Sequence, residues 1–119
     1  MKTKHGLARS FAFALEGIWG EFKKGGNFRI QVFMGVAAII LGFIFKISEQ
    51  EWFSLILVIA SVLILELINT AVEAIVDMIS PEIQEKAKIA KDVSAGAVLV
   101  SSIAAVFVGA ILFLPKIFQ

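Results

Sequence analysis

Read for polarity alone, the chain shows one amphipathic stretch followed by three long apolar ones. In the first, Leu7, Phe11, Leu15, Ile18 and Phe22 recur at steps of three and four. At about 100° per residue they share one face, with Arg9, Glu16, Gly20 and Lys23 on the other. Phe13 breaks the pattern. The spacing predicts a surface helix over 7–22, its apolar side in the acyl–headgroup boundary. A cytosolic helix packed on a partner would show the same periodicity. The second stretch, 28–47, holds no polar or charged side chain between Val32 and Phe45, and fits a membrane span of roughly 20 residues. Arg29 and Lys46 near its ends can snorkel. The third, 52–79, opens on Trp52-Phe53, a pair suited to an interfacial aromatic belt, and is almost wholly apolar from Leu55 to Leu65. Ser80-Pro81 is then expected to end one helix and start the next, with Ser80 as N-cap and Pro81 in the first helical position. The fourth, 81–114, carries the span Val93–Leu114 and a stripe of small residues, Ala97, Ser101, Ala105 and Gly109, that lets another helix approach closely. Pro115 is expected to end it. The fold class expected is therefore all-α: a single integral membrane domain over 1–119, three transmembrane helices preceded by an amphipathic surface helix.

Composition strengthens this reading. An apolar fraction of 59% in 119 residues is more than a water-soluble core of this size can hide. The absence of cysteine excludes disulfides and cysteine-based metal or nucleophile sites. No basic block suggests nucleic acid as a partner. The first 29 residues lack the apolar h-region of a cleavable signal, so insertion is expected to use the internal segments. Basic residues fix the expected orientation. Lys2, Lys4, Arg9, Lys23, Lys24 and Arg29 precede the first span, and Lys86, Lys88 and Lys91 lie between the second and third, whereas the intervening loop has only Lys46. The positive-inside rule places the N-terminus and the second loop in the cytoplasm.

The chemistry is concentrated between Glu66 and Asp92. Glu66, Asn69, Glu73 and Asp77 are spaced by three, four and four, which puts them within roughly 80° of one helix face. Glu66 follows mostly apolar helix, and an ionisable group at that depth by default marks function. A polar stripe serving helix packing alone is the plain alternative. Phosphoryl transfer from a magnesium–ATP complex to a lipid alcohol needs hard oxygen ligands for the metal, an acceptor for the hydroxyl and a lysine against phosphate charge. Glu66 is deepest and can meet a hydroxyl. Glu73 lies two turns outward, within reach of a metal. Lys91 returns at that level from the next helix, beside Asp92. An ion- or proton-conducting site would use similar residues.

The runs Glu66-Leu-Ile-Asn-Thr-Ala-Val-Glu-Ala-Ile-Val-Asp77 and Ala90-Lys-Asp-Val-Ser-Ala-Gly-Ala-Val-Leu99 resemble the two signatures of the prokaryotic diacylglycerol kinase and undecaprenol kinase family. The resemblance extends over nearly the whole chain, including the Asn27-Phe28-Arg29 entry to the first span. It implies a homotrimer in the bacterial inner membrane with active sites shared between neighbours, Mg2+ as cofactor, and ATP and a membrane lipid as substrates. By position, it implies Glu66 as the general base or hydroxyl-orienting group, supported by Asn69. It implies Glu73 as a magnesium ligand that also contacts nucleotide, Glu82, Lys91 and Asp92 as nucleotide contacts, and Asp77 on the polar face nearby. The plainer roles are a favourable charge near a helix start for Glu82, a helix cap for Asp92 and a snorkelling cation for Lys91. Gly25 stands where the family places a second metal-binding glutamate. Glu21, one turn earlier, is the candidate substitute if Gly25-Gly26 lets the backbone bend. Gly26, Gln31 and Gln84 also differ from residues common in the family. The Asn-Thr-Ala form of the motif and the Phe-Leu-Pro-Lys ending resemble the undecaprenol-kinase branch. A catalytically weakened scaffold and a small ion pathway are the competing functions.

Overall fold

A computed structural model describes residues 6–80, 82 and 84–119, all helical apart from short connections. The helices are α1 (Leu7–Lys24), α2 (Asn27–Phe45), α3 (Glu49–Ile79) and α4 (Glu85–Ile117). The last three are each long and apolar enough to cross a membrane. At about 1.5 Å per residue, α2 matches the roughly 30 Å hydrocarbon layer, while α3 and α4 overshoot it by about 15–20 Å. That excess carries the polar residues.

α3 and α4 form a long antiparallel hairpin, α2 packs along α3, and α1 touches mainly α2. The core is thin because lipid, not water, surrounds the spans, so burial is needed only where helices meet. Ile47, Leu55, Leu112 and Phe113 form its centre, with Phe45, Trp52 and Ile59 against them. Trp52 lies on the backbone of Gly42: a Cβ there would stand 2.7 Å from the indole and 3.2 Å from Ile47. Large apolar residues such as Phe33, Leu57, Val100 and Phe107 face outward, as a lipid-exposed surface requires.

Several boundaries differ from those the sequence suggests. α3 starts at Glu49 rather than Trp52, because Ser48 and Glu51 make a capping box that satisfies two free N–H groups. α2 stops at Phe45, Lys46 takes the left-handed C-cap conformation, and Ile47 lies outside the helix. Ser80 does not cap α4. Its N–H bonds to the Val76 carbonyl and closes α3, and α4 begins four residues beyond 81, at Glu85 after Gln84. Pro81, expected as a first helical residue, lies outside the described residues. At the other end α4 runs through Pro115 to Ile117. The proline has no N–H for the carbonyl four residues back, yet the helix continues two residues past it.

α1 buries none of its side chains and presents Leu7, Phe11, Leu15 and Ile18 to the exterior, the amphipathic pattern expected. It runs two residues further than the apolar stripe and breaks at Gly25-Gly26. Both have φ near +80° (84° and 80°) with ψ at −161° and −149°, a region accessible only to glycine. Arg29 does not snorkel. Its Nε and Nη2 donate to the carbonyls of Phe22 and Lys23, each at 3.1 Å, and its guanidinium lies over the Phe22 ring. One side chain thus caps α1 and fixes its angle to α2.

Candidate active site

The polar face of α3 meets α1, α2 and the first turns of α4. Glu66 and Asn69 are the buried polar side chains of the described residues, 7% and 8% exposed. Burying a carboxylate is costly unless it is paired. Glu66 is met from α2 by Gln31, whose Nε2 donates to Glu66 Oε1 at 3.2 Å. The Gln31 amide thus turns its nitrogen toward Glu66 and its oxygen away. The Gln31 Oε1 is buried and has no partner among the described residues. Asn69, one turn on, accepts from Ser94 Oγ of α4 through its Oδ1.

Between these residues Thr70 donates its Oγ1 to Glu21 Oε2 at 2.7 Å. The bend at Gly25-Gly26 therefore brings the α1 carboxylate onto the face that carries Glu66 and Glu73. Thr70 is one turn before Glu73. Glu21 is 13% exposed and has Lys24 at 3.5 Å. Glu73 is half-buried, makes no hydrogen bond among the described residues, and is close enough to Lys91 for its charge to act on that ammonium. One further turn out, Asp77 Oδ1 accepts from Lys91 Nζ at 2.8 Å.

Two concavities flank this ladder. Beyond Asp77 lies a cavity of about 340 Å³ lined by Val76, Asp77, Ser80, Glu82, Gln84, Ala87, Lys88, Lys91 and Asp92. Charged and polar residues dominate its lining, and it lies outside the apolar run of α4 that begins at Val93. On the other side an apolar furrow of about 360 Å³ starts at Gln31 and passes between α2, α3 and α4 to Leu41, Leu55 and Phe113. From Gln31 to Leu41 the rise is about 15 Å. Gln31 and Ser102 are its only polar side chains among the described residues.

The structure thus brings together Glu66, Asn69 and Glu73 on one face, with Glu21 alongside. It gathers Asp77, Glu82, Lys91 and Asp92 around one cavity. Asp92 caps nothing: it is inside α4, paired with Lys88 at 2.6 Å. Glu82 precedes α4 by three residues and its backbone carbonyl accepts from Ser80 Oγ, so it is no first-turn residue. Gln31, Thr70, Ser94 and Lys88 went unassigned from sequence. Thr70 and Ser94 lie inside the two signature runs, and Lys88 with Asp92 has the i,i+4 spacing of a pair on one helix; Gln31 carries no local signal, because its partner is set by packing.

Among the described residues no group of three or more histidine, cysteine or acidic side chains could hold a metal. Magnesium needs no such cage. It takes one or two carboxylates and completes its shell with water and phosphate oxygens, a demand the hard oxygens of Glu73 and Glu21 fit.

Comparison with known proteins identifies the family. Residues 12–113 match the prokaryotic diacylglycerol kinase family. The undecaprenol kinase of Bacillus subtilis is 38% identical over 109 residues, 92% of this chain and 89% of that protein. A diacylglycerol kinase of Synechocystis is 44% identical over 93% of this chain, which spans 64% of that protein. The diacylglycerol kinase of Haemophilus influenzae is 36% identical over 90% of the chain and 92% of its own length.

Proposed function

Since the chain belongs to the prokaryotic diacylglycerol kinase family, and is on that ground a membrane lipid kinase, we propose that it transfers the γ-phosphoryl group of ATP to a lipid alcohol where α3 leaves the bilayer. The observation that carries this is the position of Glu66. It is a buried carboxylate held by Gln31, the polar residue at one end of the apolar furrow, and its helix face leads one turn at a time to the lysine-bearing cavity lined by Asp77.

In this reading the lipid chain lies along the furrow and its hydroxyl meets Glu66. The hydroxyl oxygen attacks the γ-phosphorus as its proton passes to the Glu66 carboxylate, and the bond from phosphorus to the β-phosphate oxygen breaks. Gln31 and Asn69 keep that carboxylate and its surroundings fixed. Lys91, taken from Asp77, balances phosphate charge, and Asp77, Glu82 and Asp92 line the nucleotide cavity. Glu73 and Glu21 would hold Mg2+, which neutralises the phosphates when bound. Glu21 then supplies the carboxylate that Gly25 lacks. The N-terminus and the α3–α4 connection lie in the cytoplasm, where ATP is. Three copies assemble into a trimer, giving each site a neighbour. The alcohol is undecaprenol, which the Asn69-Thr70-Ala71 and Phe113-Leu114-Pro115-Lys116 sequences support.

The test is parallel incubation of the purified protein with magnesium, γ-labelled ATP and either undecaprenol or diacylglycerol. Label in undecaprenol is expected. Label in diacylglycerol alone reverses the acceptor, and label in neither overturns the kinase reading.

A further inference from the structure

The first turns of α4 carry two lysines on one face, Lys88 and Lys91, and both line the charged cavity. Each already has a carboxylate: Lys91 has Asp77 at 2.8 Å and Lys88 has Asp92 at 2.6 Å. Lys86, in the same stretch, is exposed and does not line the cavity. Three residues of helix rise about 4.5 Å, so Lys88 sits one step further from the apolar run than Lys91. Glu66 sets the direction of the site, with the reacting phosphate inward and the rest of the nucleotide outward. A cation one step outward from Lys91 therefore meets the next phosphate of the chain.

The Lys88–Asp92 pair is no obstacle. Its partners are 69% and 63% exposed, and pairs of that kind are weak because solvent screens them. The triphosphate chain as a whole carries more charge than one carboxylate and a longer run of acceptor oxygens, so it competes well for the same ammonium.

We propose that Lys88 is a second phosphate-binding residue, which leaves Asp92 when nucleotide binds and takes the phosphate outward of the one held by Lys91. The exchange is electrostatic and breaks no covalent bond. It rests on the nucleotide site of the kinase reading.

Acetylation of lysine amines on the intact protein in detergent, with and without magnesium–ATP, tests this by mass spectrometry. Lys88 and Lys91 are expected to be protected over the same range of ATP concentration, while Lys86 labels as before. Protection of Lys91 with full labelling of Lys88 overturns the assignment. If equilibrium dialysis shows ATP bound but neither lysine is protected, the nucleotide lies elsewhere and the cavity assignment falls too. No binding at all overturns the kinase reading and Lys88 with it. Protection of Lys88 without phosphorylation of any lipid leaves this proposal standing and removes the kinase reading. As a second measure, Lys88→Gln is expected to raise the Kd for ATP roughly fivefold to tenfold, with Lys88→Arg restoring it and adenosine binding unchanged. A Kd within about twofold of wild type counts against the proposal.

Discussion

Replacing Glu21 by glutamine probes the proposed metal site, to which the surface helix would supply a carboxylate. Glutamine keeps an oxygen to accept from Thr70, the 2.7 Å bond that ties α1 to α3, so the fold is expected to survive with little change in melting temperature. Only the negative charge goes. A charge-assisted contact is worth about 1.5–3 kcal/mol. Loss of one from a magnesium site therefore raises the half-saturating Mg2+ concentration by roughly one to two powers of ten. Thr70→Val makes the complementary change, sparing the charge and removing the hydroxyl that positions it. It should cost less, a few-fold to about tenfold. The assay is phosphoryl transfer to the lipid at fixed ATP, titrated with magnesium, alongside thermal unfolding in the same detergent. The reasoning fails if the magnesium midpoint of Glu21→Gln stays within about twofold of wild type, or if Thr70→Val shifts it more than Glu21→Gln does.

Glu66→Gln should reduce turnover at least about a hundredfold while ATP binding by equilibrium dialysis persists, since a base is lost but the outer cavity is untouched; retained turnover would remove Glu66 from the reaction. Gly42→Ala drives a methyl into the Trp52 ring at 2.7 Å and should cost about 1–3 kcal/mol in unfolding measurements. Glu51→Gln breaks the 2.7 Å pair with Lys116 at the far end of the hairpin. It should lower the melting temperature only slightly, because solvent screens the pair, and leave kcat unchanged, because that end is remote from the site. Gly25→Ala places a side chain at φ 84°, and should destabilise by about 1–3 kcal/mol and weaken the magnesium response with it.

The spans were legible because lipid imposes a simple demand, about 20 predominantly apolar residues, and 28–47, the apolar part of 52–79 and Val93–Leu114 meet it without help from tertiary contacts. The polar face of α3 was legible for a related reason: a three–four–four spacing has one consequence on a helix. Helix ends were less so. Ser80 and Pro81 are a textual start signal, yet Ser80 spends its N–H on α3, and which neighbour claims a capping residue depends on where the chain turns. Ser48, with Glu51 three residues on, was an equally good signal and is the one realised. Partners across helices were beyond periodicity. Nothing local in Gln31 points to Glu66, thirty-five residues away, and Arg29 has the position of a snorkelling cation while its donors cap α1.

The position of the site follows from a problem that any enzyme joining a water-soluble donor to a membrane alcohol must solve. The hydroxyl cannot leave the interface without dragging its chain into water, and the triphosphate cannot enter hydrocarbon without shedding hydration it cannot recover. Reaction is possible only in a layer where both are half-satisfied. A single straight helix that overshoots the bilayer provides such a layer, because its polar face can begin inside and continue outside with no break in backbone hydrogen bonding. α3 does this: Glu66 is buried, Glu73 half-buried and Asp77 exposed, two and three turns along the same face. α4 returns antiparallel with Ser94 against Asn69 and Lys91 against Asp77, so the gradient of depth is matched by a gradient of charge. The overshoot of α3 and α4 beyond α2 is thus what separates this chain from a bare three-span bundle. Shortening the hairpin by one turn on each arm would remove the cavity while leaving every membrane span intact.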